Sequence, residues 1–170
     1  EKSKKEVAPR LLLMGCGATG GVIAGGLLSA GHDVTLVTHN AKIAEAIAQK
    51  GLSWTTPTGS YSIAAQAHTA LDTVEGSFDY ALLAMKSTDV EAAARAVEAH
   101  LTPTGTVVTL QNGIVEDRVA AILGRERVIG ALVAWGATML APGSYEMTSR
   151  GDLVIGELDG SITPRVTQLH

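Results

Sequence analysis

The sequence holds a single cysteine, Cys16, so no disulfide can close within the chain, and a reducing compartment is expected. It also lacks a basic stripe. Four of its Lys and Arg side chains fall in residues 1–10, which leaves nine bases against fifteen acids over residues 11–170. That balance cannot neutralise a run of nucleic-acid phosphates, so no nucleic-acid partner is expected and a small molecule is. No apolar run approaches the ~20 residues that span a bilayer, so no membrane partner is expected either. The polar start Glu1-Lys2-Ser3-Lys4-Lys5-Glu6 is not followed by the apolar core of a signal peptide. Together these absences point to a cytoplasmic protein. Internal repeats and low-complexity tracts are missing as well, and no metal-ligand set is assigned.

What is present suits a compact α/β chain: 170 residues, 19 glycines, 46% hydrophobic content and a mean hydropathy of +0.22. The organising stretch is Gly15-Cys16-Gly17-Ala18-Thr19-Gly20. It follows the apolar run Leu11-Leu12-Leu13-Met14 and opens a segment with helical character. In that setting Gly15 permits the tight strand-to-helix turn, Gly17 leaves room for a pyrophosphate, and Gly20 lets helix and strand approach. The phosphates would sit on free N–H groups at the positive end of the helix dipole. Cys16 reads as a small side chain packed under this loop; a reactive thiol at a helix start is the other reading.

Residues 1–9 read as a flexible tail, and residues 10–170 as one dinucleotide-binding domain. Strands are expected over residues 10–14, 33–38, 81–85, 106–110 and 128–133, each a near-continuous apolar run of the kind buried in parallel sheets. Helices are expected over residues 19–30, 41–50, 90–100 and 115–123, with Gly31, Gly51 and Gly124 as stops. Residues 52–56 and 60–64 flank Pro57-Thr58-Gly59 and read as a hairpin. Residues 143–149 and 152–156 read as a second, hairpin-like pair, and Pro164 as the start of a last helix. Since His170 falls only a few residues into that helix, the natural protein is expected to continue. The architecture is a Rossmann-like, doubly wound α/β fold: a mostly parallel sheet, helices on both faces and a hairpin-like extension near the C-terminus.

Ligands on such sheets collect at the carboxyl ends of the strands, so the residues there matter most. NAD-specific proteins place an acid after the second strand to hold the ribose 2′-hydroxyl. Here that place holds Thr38, His39 and Asn40, with Lys42 close behind. Nothing would repel a 2′-phosphate and several groups could bind one, which favours NADP, although Asn40 would equally serve as a helix cap. Lys86 follows the third parallel strand and can reach a cofactor phosphate, a ribose or a substrate carboxylate; an ordinary solvated lysine would look the same. Asn112, in Gln111-Asn112-Gly113, offers a donor and an acceptor to a carbonyl, a hydroxyl or a nicotinamide amide, although Asn-Gly is also a common turn. Gly136 would give backbone access to a cofactor or simply relieve a turn.

Four stretches together resemble the ketopantoate reductase (2-dehydropantoate 2-reductase) family over nearly all of residues 10–170. They are GCGATGG, AMKSTD, LQNG and the glycine-punctuated VIGALVAWGATMLAPGSYEMTSRGDLVIGE. The resemblance implies that Lys86 contacts the cofactor and serves catalysis, that Asn112 faces both substrate and cofactor, and that Gly136 lies near the nicotinamide. His39 stands where many members carry an arginine for the 2′-phosphate. The implied reaction is hydride transfer from NADPH to the ketone of a 2-oxo acid, giving a 2-hydroxy acid such as pantoate. It belongs to pantothenate and coenzyme A biosynthesis. The family's second, helical domain supplies a proton-donating lysine and substrate-holding residues, none of which map onto this chain, so cofactor binding without efficient turnover is expected. A homodimer stays open. A dinucleotide-sensing module and a methyltransferase using S-adenosylmethionine share the glycine-rich loop, but both usually want an acid after the second strand.

Overall fold

The architecture was read from a computed structural model, which describes residues 7–170. The expected flexible tail thus lies outside the described residues over positions 1–6.

The chain opens with β1 (Arg10–Met14), α1 (Ala18–Ser29), β2 (Asp33–Val37) and α2 (Ala41–Lys50), then a hairpin, β3 (Leu52–Thr56) and β4 (Gly59–Ile63), and a short β5 (Ala67–His68). There follow β6 (Phe78–Leu83), α3 (Val90–Val97), β7 (Leu101–Thr109), α4 (Glu116–Leu123) and β8 (Val128–Val133). The last elements are β9 (Ala137–Ala141), β10 (Ser144–Met147), β11 (Leu153–Glu157) and α5 (Pro164–Leu169). Seven strands form the main sheet in the order β11-β8-β7-β6-β1-β2-β5. All its pairings are parallel except β11 against β8.

Strand periodicity divides the interior in two. Along β1, Leu12 and Met14 face a core shared with Val90, Ala94 and Val97 of α3 and Val119 and Leu123 of α4. Leu11 and Leu13 face the opposite core, with Val22 and Ile23 of α1 and Ile43 and Ile47 of α2. Helices therefore cover both faces of the sheet, which is a Rossmann-like arrangement. Its carboxyl edge carries the loops after β1, β2, β6 and β7.

A second sheet, β4-β3-β10-β9, lies against α1. Two of its large rings sit on glycines one turn apart along that helix. Trp54 packs on Gly25, where a methyl group would lie 2.5 Å from the ring, and Tyr145 packs on Gly21 with no room for any side chain between. A helix with side chains at both positions could not approach this sheet.

The late strands correct the expected pairing of residues 143–149 with residues 152–156. Both segments are extended, but they belong to different sheets: β10 pairs antiparallel with β9, and β11 antiparallel with β8. The hairpin-like extension is thus β9 and β10, and its turn is Pro142-Gly143, with Gly143 at φ +76°. The ribbon passes from one sheet to the other around Gly151, where a side chain would collide with the Ala134 carbonyl, and Ala134 N–H donates to Asp152 O at 2.8 Å. Elsewhere the expected bounds hold for β1, α2, β3 and β8, while other elements differ at their ends. The strand expected at residues 81–85 begins at Phe78, because Asp79 near its start satisfies the Arg10 N–H (2.9 Å) and adds no buried charge.

Candidate functional site

The loop after β1 is built from three glycines with three different requirements. Gly15 has φ +100°, a conformation L side chains rarely adopt, and donates its N–H to Val37 O at 2.8 Å. A methyl group there would lie 2.9 Å from Ala84 C and Met85 N, so the loop rests directly on backbone beyond the end of β6. A methyl on Gly20 would collide with the Gly15 carbonyl oxygen. Gly17, the residue capping α1, has φ −75° and ψ −162°, and no atom lies within 4 Å of where a side chain would begin. That opening sits over the first turn of α1, which has no side-chain cap and no acidic residue. Such a helix start offers N–H groups and a positive dipole end to an anion, and the gap at Gly17 lets one approach.

Cys16 is buried under the loop, and burial pushes its thiol up to about 12. Its carbonyl accepts the Tyr145 hydroxyl at 2.6 Å, so the second sheet supports the loop from below. Burial raises the Tyr145 phenol as well, which keeps it a neutral donor. Ala18 and Thr19 are half-buried in the first turn of α1.

A cleft of about 530 Å³ runs from this loop along the ends of β1 and β2 to α3; Gly15, Thr38, His39, Met85 and Asp89 line it. Thr38 is buried, donating its N–H to His68 O at 2.8 Å and accepting the Asn40 N–H on its hydroxyl at 3.4 Å. Asn40 caps α2: its Oδ1 accepts the N–H of Lys42 (3.0 Å) and of Ile43 (3.3 Å). The start of α2 is therefore already capped, and the exposed side chains left there to meet an anion are His39 and Lys42, the latter outside the cleft lining. No carboxylate follows β2.

Lys86 and Asn112 are both exposed beyond β6 and β7. Lys86 makes no ion pair among the described residues. Gly136 has a packing role: a methyl would lie 2.6 Å from Thr148 Oγ1, and its N–H donates to Ser149 Oγ at 2.8 Å. A broader groove of about 640 Å³ lies over Gly130, Leu132, Val154 and Gly156 and contains none of the phosphate-loop residues.

Residues 11–160 match the family model of ketopantoate reductase PanE/ApbA. The chain belongs to that family. It is 30% identical over 148 residues to 2-dehydropantoate 2-reductase of Pyrococcus abyssi, and 32% identical over 147 residues to that of Pyrococcus horikoshii; each alignment covers 86% of this chain and 47% of the relative. The chain thus spans about half the length of the curated relatives it matches. The crystal structure of 2-dehydropantoate 2-reductase from Methylococcus capsulatus superposes with a TM-score of 0.82 at 28% identity, covering 94% of this chain and 52% of that one. A ternary structure of D-mandelate dehydrogenase shares the fold, with a TM-score of 0.78 at 21% identity over 88% of this chain and 48% of that one. The family is one of oxidoreductases, so strand-end groups suited to binding and orienting a redox ligand are in keeping with it.

Two residues of the site were not singled out from sequence. Tyr145 lies 129 residues from the carbonyl it holds, and nothing local marks it. Gln111 carries a weak signal, an amide directly after a buried apolar strand.

Proposed function

We propose that residues 10–170 are the NADP(H)-binding domain of a reductase that converts a 2-oxo acid, ketopantoate, into the 2-hydroxy acid pantoate in pantothenate and coenzyme A biosynthesis. The observation that carries the reading is the open phosphate loop joined to a second strand end with no carboxylate. When bound, the dinucleotide supplies the hydride. The chain's own part is to bind and to orient. Gly15 to Gly20 take the pyrophosphate, with Gly17 giving access to the N–H groups of α1. Thr38, His39 and Lys42 surround the ribose, and the two exposed side chains meet the 2′-phosphate. Lys86 and Asn112 serve the nicotinamide half: the ammonium toward a ribose hydroxyl or the substrate carboxylate, the amide toward the substrate carbonyl and the carboxamide. Gly136 lies toward the nicotinamide. A helical domain, as the family resemblance implies, completes the substrate site and provides the proton for the alkoxide, so this chain binds cofactor without efficient turnover.

A fluorescence titration with NADPH and, in parallel, NADH tests the reading. Saturable binding with NADPH preferred is expected. Equal affinity or a preference for NADH would undo the assignment of His39 and Lys42 and favour a dinucleotide-sensing module. Brisk ketopantoate-dependent NADPH oxidation by the 170-residue chain would refute the division of labour between domains.

A further inference from the structure

Gln111 lies two residues beyond the end of β7 and is buried. Its side-chain Nε2 donates to Leu83 O at 2.8 Å and to Met85 O at 3.0 Å, with Met85 Sδ at 3.6 Å. These acceptors fix the orientation of the amide, since turning it over would set its oxygen against two carbonyl oxygens. Oε1 is then a buried acceptor with no partner among the described residues. Burying an amide oxygen unpaired is unfavourable, and here it accompanies two bonds that tie the end of β7 to the end of β6.

The Met85 carbonyl belongs to the same peptide unit as the Lys86 N–H, so the Gln111 bond sets the plane from which Lys86 departs. On its other side this segment forms the wall of the phosphate loop, with Ala84 C and Met85 N both 2.9 Å from where a methyl on Gly15 would stand. Phosphate loop, residues 84–85 and the Gln111 amide are thus stacked in order, and the next residue in the chain is Asn112. Lys86 and Asn112 lie one residue beyond the two ends of a single hydrogen bond.

We propose that Gln111 is a positioning residue: its amide bridges the ends of β6 and β7 and holds Lys86 and Asn112 at a fixed separation for the nicotinamide half of the ligand. The proposal rests on the dinucleotide reading above. Two substitutions probe it. Gln111→Leu removes the donor, and Gln111→Asn keeps the amide on a stem one methylene too short to reach both carbonyls. Each variant and the parent chain are titrated with NADPH and with adenosine 2′,5′-bisphosphate, which carries the 2′-phosphate but no nicotinamide. Both variants are expected to lose affinity for NADPH by about tenfold, ~1.4 kcal/mol, while affinity for the bisphosphate changes by less than about twofold. A merely structural role would weaken both ligands in parallel, and that result overturns the proposal. So does unchanged NADPH affinity in either variant that still unfolds cooperatively; should Gln111→Leu fail to fold, Gln111→Asn decides. Failure of the parent chain to bind NADPH overturns the dinucleotide reading itself, and is seen before any substitution is made.

Discussion

Replacing single glycines by alanine along one helix separates steric need from ligand access. At Gly20 the added methyl would collide with the Gly15 carbonyl oxygen and stand 3.0 Å from its carbon and 3.1 Å from Ala84 Cβ. The obstacle cannot step aside, because Gly15 is tied to Val37 O at 2.8 Å and backed by the Ala84–Met85 backbone. Overpacking of this kind costs up to ~3 kcal/mol, and the helix preference of alanine over glycine returns ~1 kcal/mol. Gly20→Ala is therefore expected to destabilise by ~2 kcal/mol and to lower the melting temperature by about 4–8 °C. Gly26, two turns on, has nothing within 4 Å of its missing side chain. There the same change should stabilise by about 0.5–1 kcal/mol. Gly17→Ala should leave the melting temperature within about 1 °C, yet weaken NADPH binding by about tenfold, since its methyl occupies only the approach to α1. Thermal unfolding followed by circular dichroism, with a parallel NADPH titration, reads all three. A Gly20→Ala protein as stable as its parent would refute the fixed loop, and equal damage at Gly26 would show a general cost of losing glycine.

Two further expectations concern charge. Arg165 holds Glu157 through a 2.6 Å ion pair, with the carboxylate side chain 8% exposed, and also reaches Thr106 and the Glu126 carbonyl. The Arg165 hydrogen bond holds the Glu157 carboxyl below its ordinary 4.5 despite the opposing effect of burial. Its contribution is thus complete above that value and is lost as pH falls through the lower folded one. Glu157→Gln should cost about 1–3 kcal/mol at neutral pH and flatten the acid limb of a stability–pH curve; an unchanged limb would exclude Glu157 as its source. Separately, with its thiol pushed up to about 12, Cys16 should resist a thiol-specific reagent at pH 8 in the native protein and react fully in denaturant. Rapid native labelling would contradict its burial.

The sequence was most legible where one residue type answers one backbone demand. The loop pattern singles out Gly15, Gly17 and Gly20, and each has its own backbone setting: a positive φ, open space and a forced contact. The main sheet was legible because parallel strands buried on both faces are written as unbroken apolar runs. The small sheet was not. It joins β3 to β10 through the parallel pairing of Ser53 with Ser144, and no local pattern announces a partner 91 residues away. Proximity in sequence pairs the two late segments with each other, whereas the Pro142-Gly143 turn folds β10 back on β9 and the passage at Gly151 takes β11 to β8. For the site, residue types at strand ends pointed to Lys86 and Asn112, while the amide that ties their loops together looked like any glutamine.

The hydrogen bond from Tyr145 to the Cys16 carbonyl has a consequence for the order in which the molecule is made. The phosphate loop is synthesised ahead of its supporting tyrosine, which emerges 129 residues later. Until then the glycine face of α1 and the ring of Trp54 have no β10 to cover them. Closing so long a loop adds little to the entropic cost but slows the search. The βαβ unit of β1, α1 and β2 can therefore take shape while its ligand loop stays unsupported, and competence to bind arrives only once β10 has been made.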